Sequence, residues 1–589
     1  MWNVTLKCLL LSISLPLFTA IDFLKEASDV YSFVAEDQEF PIDVYDDLNL
    51  EHILADDRMA TLLPNLSEYC RTDFTRLSVG MSNLRRGMAN DFEQKVIPRL
   101  IDAAGKVEPG ILKGHVNFFG MVYECNEINY EFTDSARPFR GQYVRLRLNA
   151  NFANYSKCQT GYAMDFCLPY DCTTEDLLQT FRKMFEYKGP GYYSSPVCSV
   201  SRLNEESPLN YQSYIIIGIM SVVVLLCLCA SLYDAFILPY RSPLHVDSFL
   251  LSCFRAFSSY TIVGEIMDTK SAKKPGQISQ LHCMRFFSMC WVICGHSFGA
   301  LIGLTDNPVD IFAVIGSFGG QVLVNSYYSV DTFFFQSGLL LSFLWFRAYR
   351  KNPKLIESCV FYSSHILHLL FGLKTLVIIL FYVIPHYPVL MGVSPENLGQ
   401  CSDKFWYPDV LWNFLYVNNI VGLKEPCYIV SWYLATDMQM YIFAPLLIIP
   451  YTINERFGVV FSLLILTLST LTNFFTVLLY HFPPSNFFLG WQDPTAPEDA
   501  TKYVLLIYNA AWIRCQVYII GFVLGYYLQK TPKLRISRVF NLAGWVLTIG
   551  MVVAVTLPIR HWSLGQPMAL GSRAAYSALS RIGWGLSLW

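Results

Sequence analysis

RFFSMCWVICGH, residues 285–296, has the apolar content of a membrane helix, yet it begins with an arginine and ends with a histidine. Ionisable side chains are costly in hydrocarbon, so they face a bundle interior or an aqueous cavity and mark a pathway or a site. The surrounding chain has a bilayer composition. Of its 589 residues, 53% are hydrophobic and 15% charged, against about 25% charged in an ordinary soluble domain. The formal net charge is −3. No long basic run or aromatic-basic face points to nucleic acid, which leaves the lipid bilayer as the expected partner.

Apolar runs near the roughly 20 residues that cross a bilayer fall at 214–233, 283–304, 326–346, 359–384, 428–451, 458–480, 504–528 and 540–559. A ninth begins near Ala574 and is cut at Trp589. Short cytosolic loops carry the excess of Lys and Arg. RAYRKNPK and QKTPKLRISR each hold four basic residues and TDNPVD holds none, which places the chain ahead of the first span outside.

That leading segment opens with MWNVTLKCLLLSISLPLFTA, a lysine before a short apolar run and then Ala20, the layout of a signal peptide. Residues 21–211 hold Cys70, Cys125, Cys158, Cys167, Cys172 and Cys198. An even set in an exported segment implies a disulfide framework whose connectivity the sequence leaves open. Asn65 and Asn154 stand in glycosylation sequons. Cys401 and Cys427 share one outer loop, where a disulfide is possible. The helix-like stretch at 84–103 and the aromatic stretches at 115–125 and 141–149 suggest a small mixed domain.

The expected fold is mainly α: a polytopic transmembrane helix bundle behind an N-terminal disulfide-rich extracellular or lumenal domain. The divisions are 1–20 signal peptide, 21–211 cysteine-rich domain, 212–282 first span and cytosolic linker, and 283–589 transmembrane domain, incomplete at its C-terminus. The location is a multi-pass membrane protein of the secretory pathway, in the plasma membrane or endoplasmic reticulum.

Arg285 and His296 are eleven positions apart, about three helical turns, so they share a face about 16 Å apart. His282 joins that face as the i−3 neighbour of Arg285. Arg285 falls near the cytosolic boundary and His296 deep in the bilayer, a layout suited to an anionic donor head at one end and proton chemistry at the other. Imidazole is the usual base near neutral pH, although a buried neutral histidine bonded to a carbonyl fits His296 as well. A snorkelling anchor likewise fits Arg285. Asp331, Asp437 and Arg514 enter from the outer side to similar depth. Either a carboxylate orients the imidazole, or the carboxylates form structural ion pairs, for example Asp437 with Arg514. Tyr433, Gln439 and Ser337 are membrane polar residues that suit substrate contact or helix–helix bonding.

Four blocks in order, LHCMRFFSMCWVICGH, YSVDTFFFQSGLL, CYIVSWYLATDMQMYIFAP and YNAAWIRCQVYIIGFVLGYYL, lie behind the cysteine-rich domain. In this combination the chain resembles the acyltransferase-three integral-membrane family, in its animal branch, the nose resistant to fluoxetine proteins. The resemblance covers roughly residues 60–589. It implies an acyltransferase moving groups other than amino-acyl groups, with acyl-CoA as co-substrate, no bound cofactor and no metal. The acceptor would be a hydroxyl on a carbohydrate, lipid or other small molecule. His296 would be the base and Arg285 would engage the donor, with Asp331 and Asp437 at acidic family positions. Three departures stand out: SHILHLLF puts His365, His368 and Phe371 where the family has two arginines and a proline; Cys283 replaces a glycine; and the family continues past the ninth span.

Two other classes stay open. One is a lipid or xenobiotic handling protein derived from this fold, and the other is a degenerate enzyme acting as a partner. No HExxH or GxxxxGK[ST] pattern occurs. The sequence leaves acyl chain, organelle and oligomeric state undetermined.

Overall fold

The computed structural model describes residues 66–110, 117–133, 137–149, 160–184, 197–202, 211–240, 248–268, 278–302, 307–351, 415–421, 431–485, 493–497, 501–531 and 536–589, with a few isolated residues between. Asn65, Asn154, Cys158, Cys401, Cys427, the 359–384 span, His365, His368, Phe371 and the leader lie outside the described residues.

The N-terminal domain is mixed. Helix α1 (Glu68–Arg85) and helix α2 (Asp91–Ala103) pack on a sheet of β1 (Asn117–Phe118), β2 (Asn129–Tyr130), β3 (Phe139–Asn149), β4 (Thr160–Pro169) and β5 (Val197–Arg202). The order is β1-β4-β3-β2, with β5 also on β3; β1 and β4 are parallel and the other pairs antiparallel. The 84–103 stretch is two helices because Gly87 takes φ +71°, a left-handed turn. Asn90 then opens α2 with a capping box to Glu93.

Cross-strand neighbours Arg145 and Asp165 make a bidentate pair at 2.7 and 2.8 Å. Tyr143 donates to the same carboxylate. Disulfides Cys70–Cys172 and Cys125–Cys167 fasten helices to this sheet, and Cys198 is disulfide-bonded as well.

Among the described residues six helical segments are long and apolar enough to cross a membrane, at 220–240, 328–351, 432–453, 455–480, 504–530 and 538–563. The protein is a mainly helical, multi-pass membrane protein. Its bundle contains α3 (Tyr211–Leu232), α4 (Gln280–Ile302), α5 (Tyr328–Lys351), α6 (Trp432–Phe443), α7 (Pro445–Ile453), α8 (Glu455–Tyr480), α9 (Ala511–Lys530), α10 (Arg538–Thr556) and α11 (Leu570–Ser587). The 428–451 run is two helices, α6 and α7, because Pro445 lacks the amide that would continue the ladder. Helix α4 is continuous over 23 residues, long enough to cross a bilayer.

The described part of the linker after α3 is helical and folds back on Asp234. Asp234, in the π-turn that ends α3, bonds Arg255 at 2.9 Å and Thr261 at 2.5 Å, clamping two short helices at 249–255 and 259–267.

The bundle core is the contact between α5 and α9. Gly338 lies against the Tyr518 carbonyl, while Gly521 and Gly525 lie against the carbonyls of Phe335 and Leu339, leaving no room for a Cβ. In a membrane, where lipid is as apolar as leucine, such small-residue seams let backbones approach closely and gain packing. Fully buried Phe334, Phe335, Tyr518 and Phe522 fill the adjoining space.

Candidate functional site

Helix α4 is held to the bundle through one face. Trp291 Nε1 donates to the Val322 carbonyl at 2.7 Å, its ring lies 5.5 Å from that of Trp584, and Gly295 meets Ser326. This rotation turns Arg285 toward α5, where its Nε donates to Gln336 Oε1 at 3.0 Å. His296, about three turns further along, is exposed, as is His282. Among the described residues no hydrogen bond or ion pair joins His296 to Asp331 or Asp437.

Arg285 borders a cavity of about 300 Å³ between α4, α5 and α6, shared with Gln336, Ser337, Tyr433, Asp437 and Tyr441 and walled by Phe333, Leu340 and Leu344. Ser337 lies beside the Asp437 carboxylate in this cavity. Asp437 Oδ1 is buried without a partner, as is Gln336 Nε2. The Tyr433 ring stacks on Phe334 at 4.8 Å. Four of the expected residues, Arg285, Ser337, Tyr433 and Asp437, thus share one cavity.

Asp331 and Arg514 lie apart from these. Arg514 Nη1 meets Asp331 Oδ1 at 2.7 Å with both side chains 0% exposed. The suggested pairing of Asp437 with Arg514 is corrected to Asp331 with Arg514, because α5 and α9 are the helices that touch through glycine. Arg514 also donates to the Tyr508 carbonyl and lies over the rings of Tyr508 and Trp432. Arg581 of α11 approaches Asp331 Oδ2 at 3.7 Å.

Gln439 has a structural task. Its amide exchanges bonds with Asn419 at 3.0 and 2.8 Å and donates to the Tyr416 carbonyl. Asn419 in turn reaches Thr436 and the Asn509 carbonyl. A second cavity of about 580 Å³ lies beside it, lined mainly by apolar residues such as Phe443, Leu446, Leu468 and Trp512, with Cys515 among them.

Residues 278–579, just over half of the chain, match the acyltransferase domain family, and residues 70–181 match the nose resistant-to-fluoxetine protein N-terminal domain. The chain belongs to the nose resistant to fluoxetine family. It is 27% identical over 539 residues to Nose resistant to fluoxetine protein 6 of Caenorhabditis elegans, an alignment covering 77% of this chain and 63% of that protein. The chain therefore spans less than two thirds of the length of the relative it matches. No solved structure matches.

In this nose resistant to fluoxetine family member the cavity beside Arg285 lies within the matched acyltransferase domain. The α4 block, the YSVDTFFFQSGLL block of α5 and the YLATD block of α6 supply the cavity. Sequence reasoning passed over Gln336, next to the chosen Ser337, because what marks it is an amide left unpaired by packing. It also missed Arg581, which lies about two turns beyond Ala574 on a helix read only as a beginning.

Proposed function

We propose that this protein transfers an acyl group from a thioester donor, acyl-CoA, to a hydroxyl acceptor, with residues 21–211 as an exported domain and 283–589 as the transfer domain. The observation that carries this reading is the single helix α4, within the matched acyltransferase domain, presenting Arg285 at a polar cavity and His296 about 16 Å along nearly the same face. Arg285 engages the anionic donor head. His296 takes the acceptor proton while the acceptor oxygen bonds to the thioester carbonyl carbon. The C–S bond breaks, the imidazolium returns the proton to the thiolate, and an ester and a free thiol leave.

The exposed position of His296 allows an acceptor to reach it from a cavity or from the membrane. Asp437 and Tyr433 contact substrate at the Arg285 end, and His282 adds a donor there. The Asp331–Arg514 pair holds α5 and α9 in register for both ends. The test is transfer of a labelled acyl group by purified protein. His296→Ala should abolish it with expression and folding intact; an unchanged rate removes the assignment.

A second reading, binding and delivery of an apolar ligand, is favoured by the larger apolar cavity between α6, α8 and α9. A photoreactive hydrocarbon that labels peptides around Phe443 and Trp512, in a chain that transfers no acyl group, would support this reading over the first.

A further inference from the structure

We propose that the cavity beside Arg285 is a subsite for a secondary amide adjoining an anionic group, the chemistry of a phosphopantetheine-type donor arm. This rests on the reading of the protein as a thioester-dependent transferase. The argument begins with the orientation of Gln336. Arginine carries donors only, so the bond from Arg285 Nε fixes Oε1 as the atom facing the guanidinium. The Gln336 amide NH₂ is thereby turned away from it. Gln336 is 1% exposed, and its Nε2 is buried with no hydrogen-bond partner among the described residues.

The same cavity holds the complementary deficiency, since Asp437 Oδ1 is a buried acceptor without a donor. Buried polar groups in folded proteins are almost always bonded. Here a donor on α5 and an acceptor on α6 remain unbonded to each other although both line one space. A ligand that satisfies both presents an acceptor to Gln336 and a donor to Asp437 on separate atoms. A secondary amide does so, its carbonyl facing one side and its N–H the other, whereas a hydroxyl carries both functions on a single oxygen.

The apolar walls from Phe333, Leu340 and Leu344 suit methylenes flanking such an amide. The volume of about 300 Å³ holds roughly ten groups the size of a water molecule. Arg285 is exposed and has no hydrogen bond from its terminal nitrogens among the described residues, so it can hold the adjoining anion.

A phosphorylated ceramide also places a secondary amide near an anion, and the experiment separates these two sources. Equilibrium binding to the full chain in nanodiscs is measured for phosphopantetheine, for its analogue with esters in place of amides, for unphosphorylated pantetheine, and for a short-chain ceramide phosphate. Wild type should prefer phosphopantetheine to its ester analogue by about tenfold, the worth of one hydrogen bond. Asp437→Leu should bring that ratio to near one, and Asp437→Asn, which keeps an acceptor, should preserve part of it. Gln336→Glu keeps the acceptor for Arg285 but removes the donor, and should weaken uncharged pantetheine by about tenfold.

Equal binding of amide and ester by wild type overturns the subsite. So does an unaltered ratio in a folded Asp437→Leu protein, and tighter binding of ceramide phosphate overturns its assignment to the donor arm. His296-dependent transfer on the same preparations separates the two levels. Amide preference without any transfer supports the subsite and removes the catalytic reading, whereas transfer without amide preference does the reverse.

Discussion

Nη1 of Arg514 lies 2.7 Å from Oδ1 of Asp331, and neither side chain is exposed. Arg581 stands on the other carboxylate oxygen at 3.7 Å, so one buried carboxylate serves two guanidinium groups. Removing the carboxylate charge leaves uncompensated cations in the bundle. Asp331→Asn is therefore expected to cost about 3–5 kcal/mol. The measurement is the fraction of monodisperse protein and its thermal midpoint in detergent. A stable Asp331→Asn protein that has lost only activity would instead assign Asp331 to the chemistry.

The α5–α9 seam depends on hydrogen in place of a side chain. A Cβ at Gly521 would run into the Phe335 carbonyl and one at Gly338 into the Tyr518 carbonyl. Both contacts are with backbone, which cannot swing aside. Gly521→Leu should separate the helices and abolish folded yield, while Gly544→Ala, on a helix where an added Cβ meets nothing, should leave the thermal midpoint within experimental scatter.

Cys70–Cys172 closes a loop with a sequence separation of 102 residues. Replacing both cysteines with serine should destabilise the N-terminal domain by about 2–5 kcal/mol. Limited proteolysis of the full chain reads this as faster cleavage within residues 66–202 at unchanged cleavage of the bundle.

Asp493, in the loop between α8 and α9, supplies a pH dependence. Burial would push its carboxyl up, but the Thr495 hydroxyl and amide and the Arg573 guanidinium hold it down at about 2. Arg573 Nη2 approaches it at 2.5 Å. A folded-state value below the unfolded one adds stability that is complete above the unfolded value, near 4, and is lost as pH falls through the folded one. Wild type should therefore be more stable than Asp493→Asn by a constant margin from about pH 7 to about pH 5, and that margin should shrink from about pH 4 toward about pH 2. Thermal midpoints of the two proteins across this range decide it.

Hydropathy made the spanning segments legible because a bilayer forces each backbone donor and acceptor into its own helix. It located α4 as the apolar run at 283–304, and the same run displayed Arg285 and His296. Helix geometry also gives each side chain a face and a depth, and this placed Arg285, Tyr433 and Asp437 well enough to meet in one cavity. It gives no rotation of one helix against another. The partner of Arg514 was therefore unreadable until the glycine contacts set α9 against α5, and the exposed position of His296 followed from Trp291 and Gly295 turning inward. Gln336 escaped notice because its significance lies in an unpaired amide, a property of packing. In the N-terminal domain the cysteine count announced disulfides, but only the packing of the short helix Val122–Asn126 on the sheet brought Cys125 beside Cys167.

The most direct test of the central claim is a kinetic comparison of Arg285→Gln and His296→Ala with wild type in acyl transfer from acyl-CoA by reconstituted protein. If Arg285 holds the donor and His296 moves the proton, Arg285→Gln raises the donor KM with kcat little changed. His296→Ala lowers kcat by about a hundredfold to ten-thousandfold with the donor KM unchanged. Transfer that proceeds at the wild-type rate in His296→Ala contradicts the account.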